Sequence, residues 1–309
     1  RRVVYIYAPF SNFKVLSYLV SFFYFSYILL RYRKNDKKTL IFYNRAYLYL
    51  FSLITGYFCN YKFFVDIEDG EISSRYSIRR YTNFVFDRLC KGAILANKHL
   101  DCYTQLASTF VYYGVSKLRS RDVFVNNEIS FLYSGTLEKD TGFDLYIEAI
   151  RILDKHYAGS KKLLFNVTGK LPRNFELFES SNPLITVNFF GMLDHHGYKT
   201  LLCSSDVGLS LKLNAGLYAD STFPSKTVEY VSNNLLLVST DISDVKEVFE
   251  DCALYLEEDC PVLLSEILIG ITREIETCRL MSHNASRILN DKLSSHSVAK
   301  SLNSFLEEC

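Results

Sequence analysis

Hydrophobic residues along this chain fall into short runs that alternate with longer amphipathic stretches. Short apolar runs bounded by polar residues are typical of buried strands, and apolar residues repeated every three or four positions predict helices. The strand candidates in the first part of the chain are Val3–Ala8, Thr39–Tyr43, Lys62–Ile67, Ala93–Asn97 and Thr109–Tyr113. The helix candidates between them are Val15–Tyr32, Leu48–Tyr57, Ser74–Leu89 and His99–Leu106.

A second series of the same kind follows. Its strand candidates are Ile129–Tyr133, Leu163–Val167, Thr186–Phe190, Val207–Leu211, Leu235–Ser239 and Ala253–Leu256. Its helix candidates are Gly142–His156, Tyr198–Cys203, Pro224–Ser232 and Pro261–Arg279, with one or two further helices within Asn284–Glu308. Strands that alternate with helices favour parallel sheets covered by helices. We therefore predict an α/β protein with two consecutive, doubly wound sheets.

A polar, irregular stretch, Ser116–Asp122, separates the two series. We predict a domain boundary at its end, with one domain over 1–122, a second over 123–283 and a C-terminal helical segment over 284–309. Ligands of doubly wound sheets bind at the carboxyl ends of strands and at helix N-termini. The functional residues are therefore expected in the loops that follow the strands.

The composition excludes several classes of protein. With 309 residues, 49% of them hydrophobic, and only 13 Gly and 5 Pro, the chain is neither disordered nor collagen-like. A net charge of +1 gives no electrostatic support for nucleic-acid binding. The eight cysteines include no pair with the two-residue spacing of zinc and redox motifs, so we expect reduced thiols in a cytoplasmic protein.

The segment Val15–Leu30 is the most apolar part of the chain. Its 16 residues are fewer than the ~20 that a bilayer crossing needs, so we predict a buried helix and no membrane span. Basic residues follow this segment. They are Arg31, Arg33, Lys34, Lys37 and Lys38. Such residues suit either anionic lipid headgroups or a solvated loop, and peripheral contact with the inner face of a membrane stays open at this point.

The sequence Phe-Pro-Ser-Lys-Thr-Val-Glu-Tyr contains the most informative group of polar residues. Pro224 suits a first helical position, and the free amide groups of a helix start, with the hydroxyls of Ser225 and Thr227, form a site for phosphate oxygens. Lys226 adds a positive charge. Glu229 lies one turn further on the same face, where its carboxylate suits a ribose diol. The alternative is a capped helix with an exposed Lys–Glu ion pair.

Four short motifs end in or contain a glycine beside a predicted strand, in the order Tyr-Ser-Gly-Thr-Leu, Val-Thr-Gly, Phe-Phe-Gly and Ser-Asp-Val-Gly-Leu. The first three place Gly135, Gly169 and Gly191 at strand ends. Glycine permits a ligand to approach the backbone closely. Four such motifs in succession, followed by the Pro-Ser-Lys helix, predict a nucleotide site in the second domain.

In this order the motifs resemble the donor half of retaining, nucleotide-sugar-dependent glycosyltransferases of the GT-B fold, family four (glycosyl transferases group 1), which build capsule, O-antigen and similar glycans. The resemblance covers 130–285. It implies two Rossmann-like domains that face a cleft, with 1–122 on the acceptor side, 123–283 as the donor-binding domain and 284–309 as the helix that returns to the first domain. It also implies that the chain lacks the family's N-terminal opening, so that the first domain is incomplete.

The resemblance assigns Glu229 to the second Glu of the family's paired-glutamate motif, which holds the donor ribose; the first Glu falls on Ser221. Two basic residues usual in the family fall on Thr136 and Thr141. Lys226 is the candidate replacement for this lost charge, and Lys139 is a weaker one. The implied donor-binding residues are Gly135, Thr136, Lys139, Gly169, Phe190, Gly191, Ser225, Lys226, Thr227 and Glu229.

The implied reaction is transfer of a sugar from a nucleotide diphosphate to a glycan or lipid-linked acceptor, with retention of configuration. Helix amides and Lys226 would stabilise the departing diphosphate, so we expect no metal and no cofactor beyond the nucleotide-sugar co-substrate. We assign catalytic roles to Lys226, Glu229 and Asp69. Asp69 or Glu68 is expected to orient the acceptor hydroxyl, and the alternative for both is a polar turn. His195 and His196 are expected to form a surface pair.

Two other functions stay open on the sequence. A nucleotide-sugar epimerase uses the same two-domain scaffold. A non-catalytic donor-binding partner subunit would explain the polar but uncharged residues Ser221, Thr136 and Thr141.

Overall fold

The protein is described by a computed structural model, which covers residues 14–34, 38–68, 77–173, 175–214 and 223–309. The predicted strand Val3–Ala8, the candidate Asp69 and the motif position Ser221 lie outside the described residues. The chain divides into two compact units, one of Arg1–Tyr112 with Ser304–Cys309 and one of Tyr113–Asn303. This division lies before residue 122, and the functional division into 1–122, 123–283 and 284–309 stays a prediction.

The first unit contains a parallel four-stranded sheet in the order β1-β2-β3-β4. Its strands are β1 (Thr39–Tyr43), β2 (Lys62–Ile67), β3 (Gly92–Leu95) and β4 (Thr109–Val111). Its helices are α1 (Lys14–Arg31), α2 (Leu50–Phe58) and α3 (Ser77–Leu89), with two 3₁₀ segments at Tyr47–Tyr49 and Lys98–Tyr103. The core lies between the sheet and the helices. It includes Phe42, Leu53, Phe63, Val65, Phe86 and Leu95.

The predicted helix His99–Leu106 is wrong in length and type, since a 3₁₀ segment ends at Tyr103. Thr104 has extended backbone angles, with φ −129° and ψ 151°, and so ends the helical turn. Its hydroxyl donates to the Asp87 carboxylate over 2.9 Å, and the amide of Gln105 donates to the same carboxylate over 3.2 Å. These two bonds hold the chain in an extended path toward β4.

The second unit contains a parallel six-stranded sheet in the order β10-β9-β8-β5-β6-β7. Its strands are β5 (Glu128–Ser134), β6 (Lys162–Thr168), β7 (Ile185–Phe189), β8 (Val207–Ser210), β9 (Leu236–Thr240) and β10 (Leu254–Leu256). Its helices are α4 (Phe143–His156), α5 (His195–Ser204), α6 (Ser225–Ser232), α7 (Val245–Phe249), α8 (Pro261–Arg273), α9 (Ile275–Leu293) and most of α10 (Ser295–Glu308). The direction in which strands are added reverses between β5 and β8, which is where such sheets bind ligands.

The predicted helix Pro261–Arg279 is two helices. The chain leaves helical geometry at Glu274, with φ −122° and ψ 45°, and a new helix begins at Ile275. The apolar face of α8 packs on α4, whereas α9 packs on α6 and β9. Because the two apolar faces are buried against different elements, one straight helix would leave one of them exposed.

The last turn of α10 belongs to the first unit. The ring of Phe305 lies 5.5 Å from that of Phe64 and 5.6 Å from that of Phe110, measured between ring centroids. Phe64 and Phe110 come from β2 and β4. The final residues of the chain therefore pack on the sheet that is formed near its start.

Both sheets are parallel and covered by helices, so the predicted α/β fold class is confirmed. Among the described helices, none combines the length and the apolar character that a bilayer crossing requires.

Candidate functional site

Three tight turns at the carboxyl ends of β5, β6 and β7 form one wall of the site. Gly135, Gly169 and Gly191 have φ angles of +129°, +148° and +62°, which side chains other than hydrogen rarely permit. The Gly135 amide donates to the Thr168 carbonyl over 3.1 Å, and the Gly169 amide donates to the Gly191 carbonyl over 2.9 Å. The three turns are thus joined by backbone hydrogen bonds, and each glycine follows a strand, as predicted.

Helix α6 begins opposite these turns, at Ser225. Pro224 precedes the helix with φ −72° and ψ 100°, so its predicted place at the first helical position is wrong by one residue. Its extended ψ angle places it before the helix, and its carbonyl accepts the Thr227 amide over 3.0 Å and the Thr227 hydroxyl over 2.7 Å. Within the described part of the chain, the amides of Ser225 and Lys226 have no hydrogen-bond partner.

Lys226 and Glu229 form an ion pair on the exposed side of α6. The distance from Lys226 Nζ to Glu229 Oε2 is 2.6 Å, and each side chain is about one third exposed, at 34% and 35%. The Tyr198 hydroxyl on α5 lies 3.0 Å from Lys226 Nζ and 2.9 Å from Glu229 Oε2. The ammonium also lies 4.6 Å from the centroid of the Tyr198 ring, within the range of a cation–π contact.

The Tyr198 hydroxyl connects this pair to the end of β5. It lies 3.1 Å from Ser134 Oγ, which in turn lies 2.8 Å from the Tyr230 hydroxyl. The amide of Ser134 donates to the Tyr230 hydroxyl over 3.2 Å. Burial raises the pKa of Tyr198 and of Tyr230, so both phenols keep their protons at neutral pH and act as hydrogen-bond donors.

Two cavities lie between the glycine turns and α6. The larger has a volume of about 470 Å³, and the smaller has about 290 Å³. Residues that line both are Ser134, Gly135, Thr136 and Lys226. The larger cavity is also lined by Glu138, Thr168, Gly169, Lys170, Met192, Leu193 and Tyr198, and the smaller by Tyr133, Thr141, Leu209, Ser210, Leu211, Lys212, Pro224 and Ser225. The volumes suit a small polar ligand that meets backbone amides and Lys226, the lysine that lines both cavities.

Of the ten donor-binding residues that the resemblance implies, five line these cavities: Gly135, Thr136, Gly169, Ser225 and Lys226. The backbone around them offers amide groups, and Lys226 offers a cation next to the start of a helix. Such an arrangement favours binding of phosphate oxygens.

Other named residues lie behind or beside the cavities. Glu229 and Gly191 do not line either cavity but bond directly to residues that do. Thr227 is buried, and its hydroxyl donates a hydrogen bond to the Pro224 carbonyl. Lys139 is exposed on a 3₁₀ turn, and Phe190, which is 44% exposed, also lines neither cavity.

Sequence reasoning missed Tyr198, Ser134 and Tyr230. Ser134 is part of the first glycine motif, and Tyr230 closes the Pro-Ser-Lys motif, so their positions were visible although their roles were not. Tyr198 occupies an amphipathic helix with no motif around it. Only the packing of α5 against β5 and α6 brings its hydroxyl to Lys226.

Acidic residues also gather at the end of β2 in the first unit. Burial, with the nearby charge of Glu68 as a second cause, raises the pKa of Asp66 to about 6. The Tyr43 hydroxyl donates to Glu68 Oε2 over 2.6 Å. Asp69 lies outside the described residues, so its predicted contact with an acceptor stays a prediction.

Within the described residues, no group of three or more His, Cys, Asp or Glu side chains is arranged to hold a metal ion. Independence from metal stays a prediction. His195 and His196 are exposed in the first turn of α5, beside Asp194, whose carboxylate accepts the Gly197 amide over 2.7 Å.

Comparison with solved structures identifies neighbours of the whole chain. Alr3699/HepE from Anabaena, in complex with UDP, is 14% identical, with coverage of 97% of this chain and 85% of that chain and a TM-score of 0.69. A glycosyltransferase from Rickettsia africae is 13% identical, with coverage of 98% and 84% and a TM-score of 0.71. A trehalose-6-phosphate synthase, studied for glycosyl transfer with retention, is 12% identical, with coverage of 97% and 80% and a TM-score of 0.63.

Identities this low establish a shared fold and nothing further. No protein-family model matches the chain, and no curated protein matches it by sequence.

Proposed function

We propose that this protein is a glycosyltransferase that moves a sugar from a nucleotide-diphosphate donor to a glycan or lipid-linked acceptor with retention of configuration. The observation that carries the proposal is the start of α6, where two unpartnered amides and the Lys226 ammonium face a cavity bounded by glycine turns. Solved structures of the same fold support it, since HepE binds UDP and UDP-glucose.

The diphosphate group is the part of the donor that these residues suit best. In the reaction, the bond between the anomeric carbon and the diphosphate oxygen breaks, and negative charge develops on the departing diphosphate. Amides of Ser225 and Lys226 and the Lys226 ammonium would stabilise that charge, which lowers the barrier without a metal ion. The acceptor oxygen forms the new bond on the same face of the sugar, and its proton passes to the departing diphosphate.

Glu229 is assigned to the ribose of the donor. Its Oε1 atom has no partner among the residues that the structure describes, while Oε2 accepts from Lys226 and Tyr198. A carboxylate oxygen one helical turn from the phosphate-binding amides can accept a ribose hydroxyl. This assignment comes from the family resemblance together with that free oxygen.

The acceptor is assigned to the first unit, at the end of β2. Asp66 and Glu68 lie there, and Asp69 follows directly in sequence. A carboxylate at this position would accept a hydrogen bond from the acceptor hydroxyl and orient its oxygen.

Binding of nucleoside diphosphates tests the proposal directly. We expect UDP, GDP or ADP to bind the wild-type chain in isothermal titration calorimetry, and Lys226→Gln and Glu229→Gln each to weaken that binding at least ~10-fold. Because partly exposed ion pairs contribute about 0–1 kcal/mol to folding, the melting temperature of each variant should stay close to that of the wild type.

A second ion pair supplies the control. Arg151 and Glu148 on α4 have the same i,i+3 spacing and the same 2.6 Å distance. Glu148→Gln should leave nucleotide affinity unchanged. The site assignment is contradicted if no nucleoside diphosphate binds, or if both site variants bind as the wild type does.

Turnover separates the proposed activity from its two alternatives. Release of nucleoside diphosphate from a nucleotide sugar in the presence of acceptor indicates transfer. Interconversion of the free nucleotide sugar would indicate an epimerase. Binding without either reaction would indicate a donor-binding partner subunit. The observation that favours this alternative is the ion pair between Lys226 and Glu229, in which each charge is neutralised by the other.

A further inference from the structure

The Tyr198 hydroxyl is the one group from outside α6 that bonds to both members of the Lys226–Glu229 pair within the described part of the chain. It accepts from Lys226 Nζ over 3.0 Å and donates to Glu229 Oε2 over 2.9 Å. The cation also lies over its ring. The polar groups of α6 are therefore fixed by a residue of a different helix.

The directions of the hydrogen bonds around Tyr198 follow from the number of protons available. Each hydroxyl has one proton and two acceptor sites. The Ser134 amide donates to Tyr230 Oη, so the Tyr230 proton is free to bond Ser134 Oγ, the Ser134 proton to bond Tyr198 Oη, and the Tyr198 proton to bond Glu229 Oε2. The chain of donors starts at the backbone of β5 and ends on the carboxylate.

We propose that Tyr198 is a positioning residue that keeps the Glu229 carboxylate in its binding orientation when Lys226 leaves the ion pair to meet a diphosphate. The inference rests on the proposed donor site. In the structure described, Glu229 Oε2 is shared between the lysine and the phenol. When the ammonium turns to an anion, the hydrogen bond from the Tyr198 hydroxyl to Oε2 remains and holds the carboxylate, so that Oε1 stays available to the ligand.

The Lys226 side chain has only a short distance to move from Glu229 to a ligand at the first glycine turn. Its Cε atom would lie 4.0 Å from a Cβ built on Gly135, so the lysine already borders the first glycine turn. Lys226 lines both cavities, whereas Glu229 lines neither. A small rotation of the lysine toward the turn would break its bond to Glu229. The bond from the Tyr198 hydroxyl to Glu229 would stay in place.

Two ligands separate orientation of the carboxylate from binding of phosphate. UDP carries a ribose and a diphosphate, and inorganic pyrophosphate carries the diphosphate alone. For Tyr198→Phe, which keeps the ring and removes the hydroxyl, we expect UDP affinity to fall about 10-fold and pyrophosphate affinity to change less than about 2-fold. In the Glu229→Gln background, the same change should cost less than about 2-fold in UDP affinity, because the group that it orients is gone.

Kinetics give an independent measurement. Because the bond orients a group that binds donor equally before and during the reaction, KM for the donor should rise about 10-fold in Tyr198→Phe and kcat should change less than about 3-fold. Tyr157→Phe is the matched control, since its hydroxyl donates to the Lys161 carbonyl over 2.9 Å, within an α4 to β6 connection away from the cavities. It should leave UDP affinity, pyrophosphate affinity, KM and kcat unchanged.

Equal loss of UDP and pyrophosphate affinity in Tyr198→Phe, or no loss at all, overturns the proposal. If the wild type binds neither ligand, the proposed function itself has failed, and a melting experiment then decides the remaining question. Tyr198→Phe should lower the melting temperature more in the wild type than in the Glu229→Gln background, where only the bonds of the hydroxyl to Lys226 and Ser134 remain to be lost. Additive shifts would show that the hydroxyl and the carboxylate are not coupled.

Discussion

Of the three glycines that follow strands at the site, Gly169 has the least space for a side chain. A Cβ atom at this position would lie 2.1 Å from the Gly135 carbonyl oxygen, and the φ angle of +148° is itself unfavourable for other residues. Because the obstacle is backbone, it cannot move aside without opening the first turn. We expect Gly169→Ala to lower the free energy of unfolding by about 2–4 kcal/mol, measured by urea denaturation, and to weaken nucleotide binding with it.

Gly191 provides the comparison for this prediction. Its φ angle of +62° is also left-handed, but nothing lies within 4 Å of a Cβ built there. Gly191→Ala should therefore cost only about 1–2 kcal/mol, the strain of the backbone conformation alone. Equal costs for the two variants would mean that the turns are not packed as described.

Asp66 makes the stability of the protein depend on pH. Burial raises its pKa in the folded state to about 6, from an ordinary value of 3.8. Between these two values the folded state binds more protons than the unfolded state, so the free energy of unfolding falls as the pH rises from about 4 to about 6. Above pH 6 the full cost is present, and we estimate it at about 1 kcal/mol because the side chain is partly exposed.

Asp66→Asn, which removes the charge, should raise the free energy of unfolding by about 1 kcal/mol at pH 7, and the gain should shrink as the pH falls toward 4. Urea denaturation at several pH values measures this. Glu148→Gln, at an exposed position of α4, should show no such trend. A variant that is less stable than the wild type at pH 7 would contradict the burial of a charged Asp66.

At the scale of elements, the sequence predicted strands better than helix ends. The bounds of β1 and β2 agree with the predicted Thr39–Tyr43 and Lys62–Ile67, because a strand of a covered parallel sheet is an apolar run with polar residues on either side. Helix ends depend on more distant contacts. The break at Glu274 arises from packing on two different elements, and α7 is too short to show a period.

The same distinction applies to the site. Gly135, Gly169 and Lys226 were found from the sequence because each lies in a local motif whose conformation and charge are set by neighbouring residues. Tyr198 was not found, because its contact with Lys226 spans 28 residues along the chain and requires α5 and α6 to be placed side by side.

At the scale of the whole molecule, the net charge is only +1, but exposed apolar and basic side chains lie together on part of the first unit. Exposed aromatic and aliphatic side chains lie on α1 and α2 of the first unit. They include Phe23, Tyr27, Leu30, Ile54, Tyr57 and Phe58. Phe58 is 80% exposed, and Arg31, Arg33 and Lys34 are exposed at and just beyond the end of α1. Aromatic residues next to cations suit the headgroup region of an anionic membrane, and we propose that this surface makes peripheral contact with such a membrane.

Cosedimentation with lipid vesicles tests this contact. We expect the protein to bind vesicles that contain phosphatidylglycerol and not vesicles of phosphatidylcholine alone, with binding reduced by salt. Replacing Arg31, Arg33 and Lys34 by Gln should weaken binding at least ~10-fold, since each basic residue near an anionic surface contributes about 1 kcal/mol. Replacing Lys155, Lys162 and Lys300 by Gln gives the same net charge at other sites and should change binding much less. Equal losses in the two variants would mean that overall charge, and not this surface of the first unit, governs binding to the membrane.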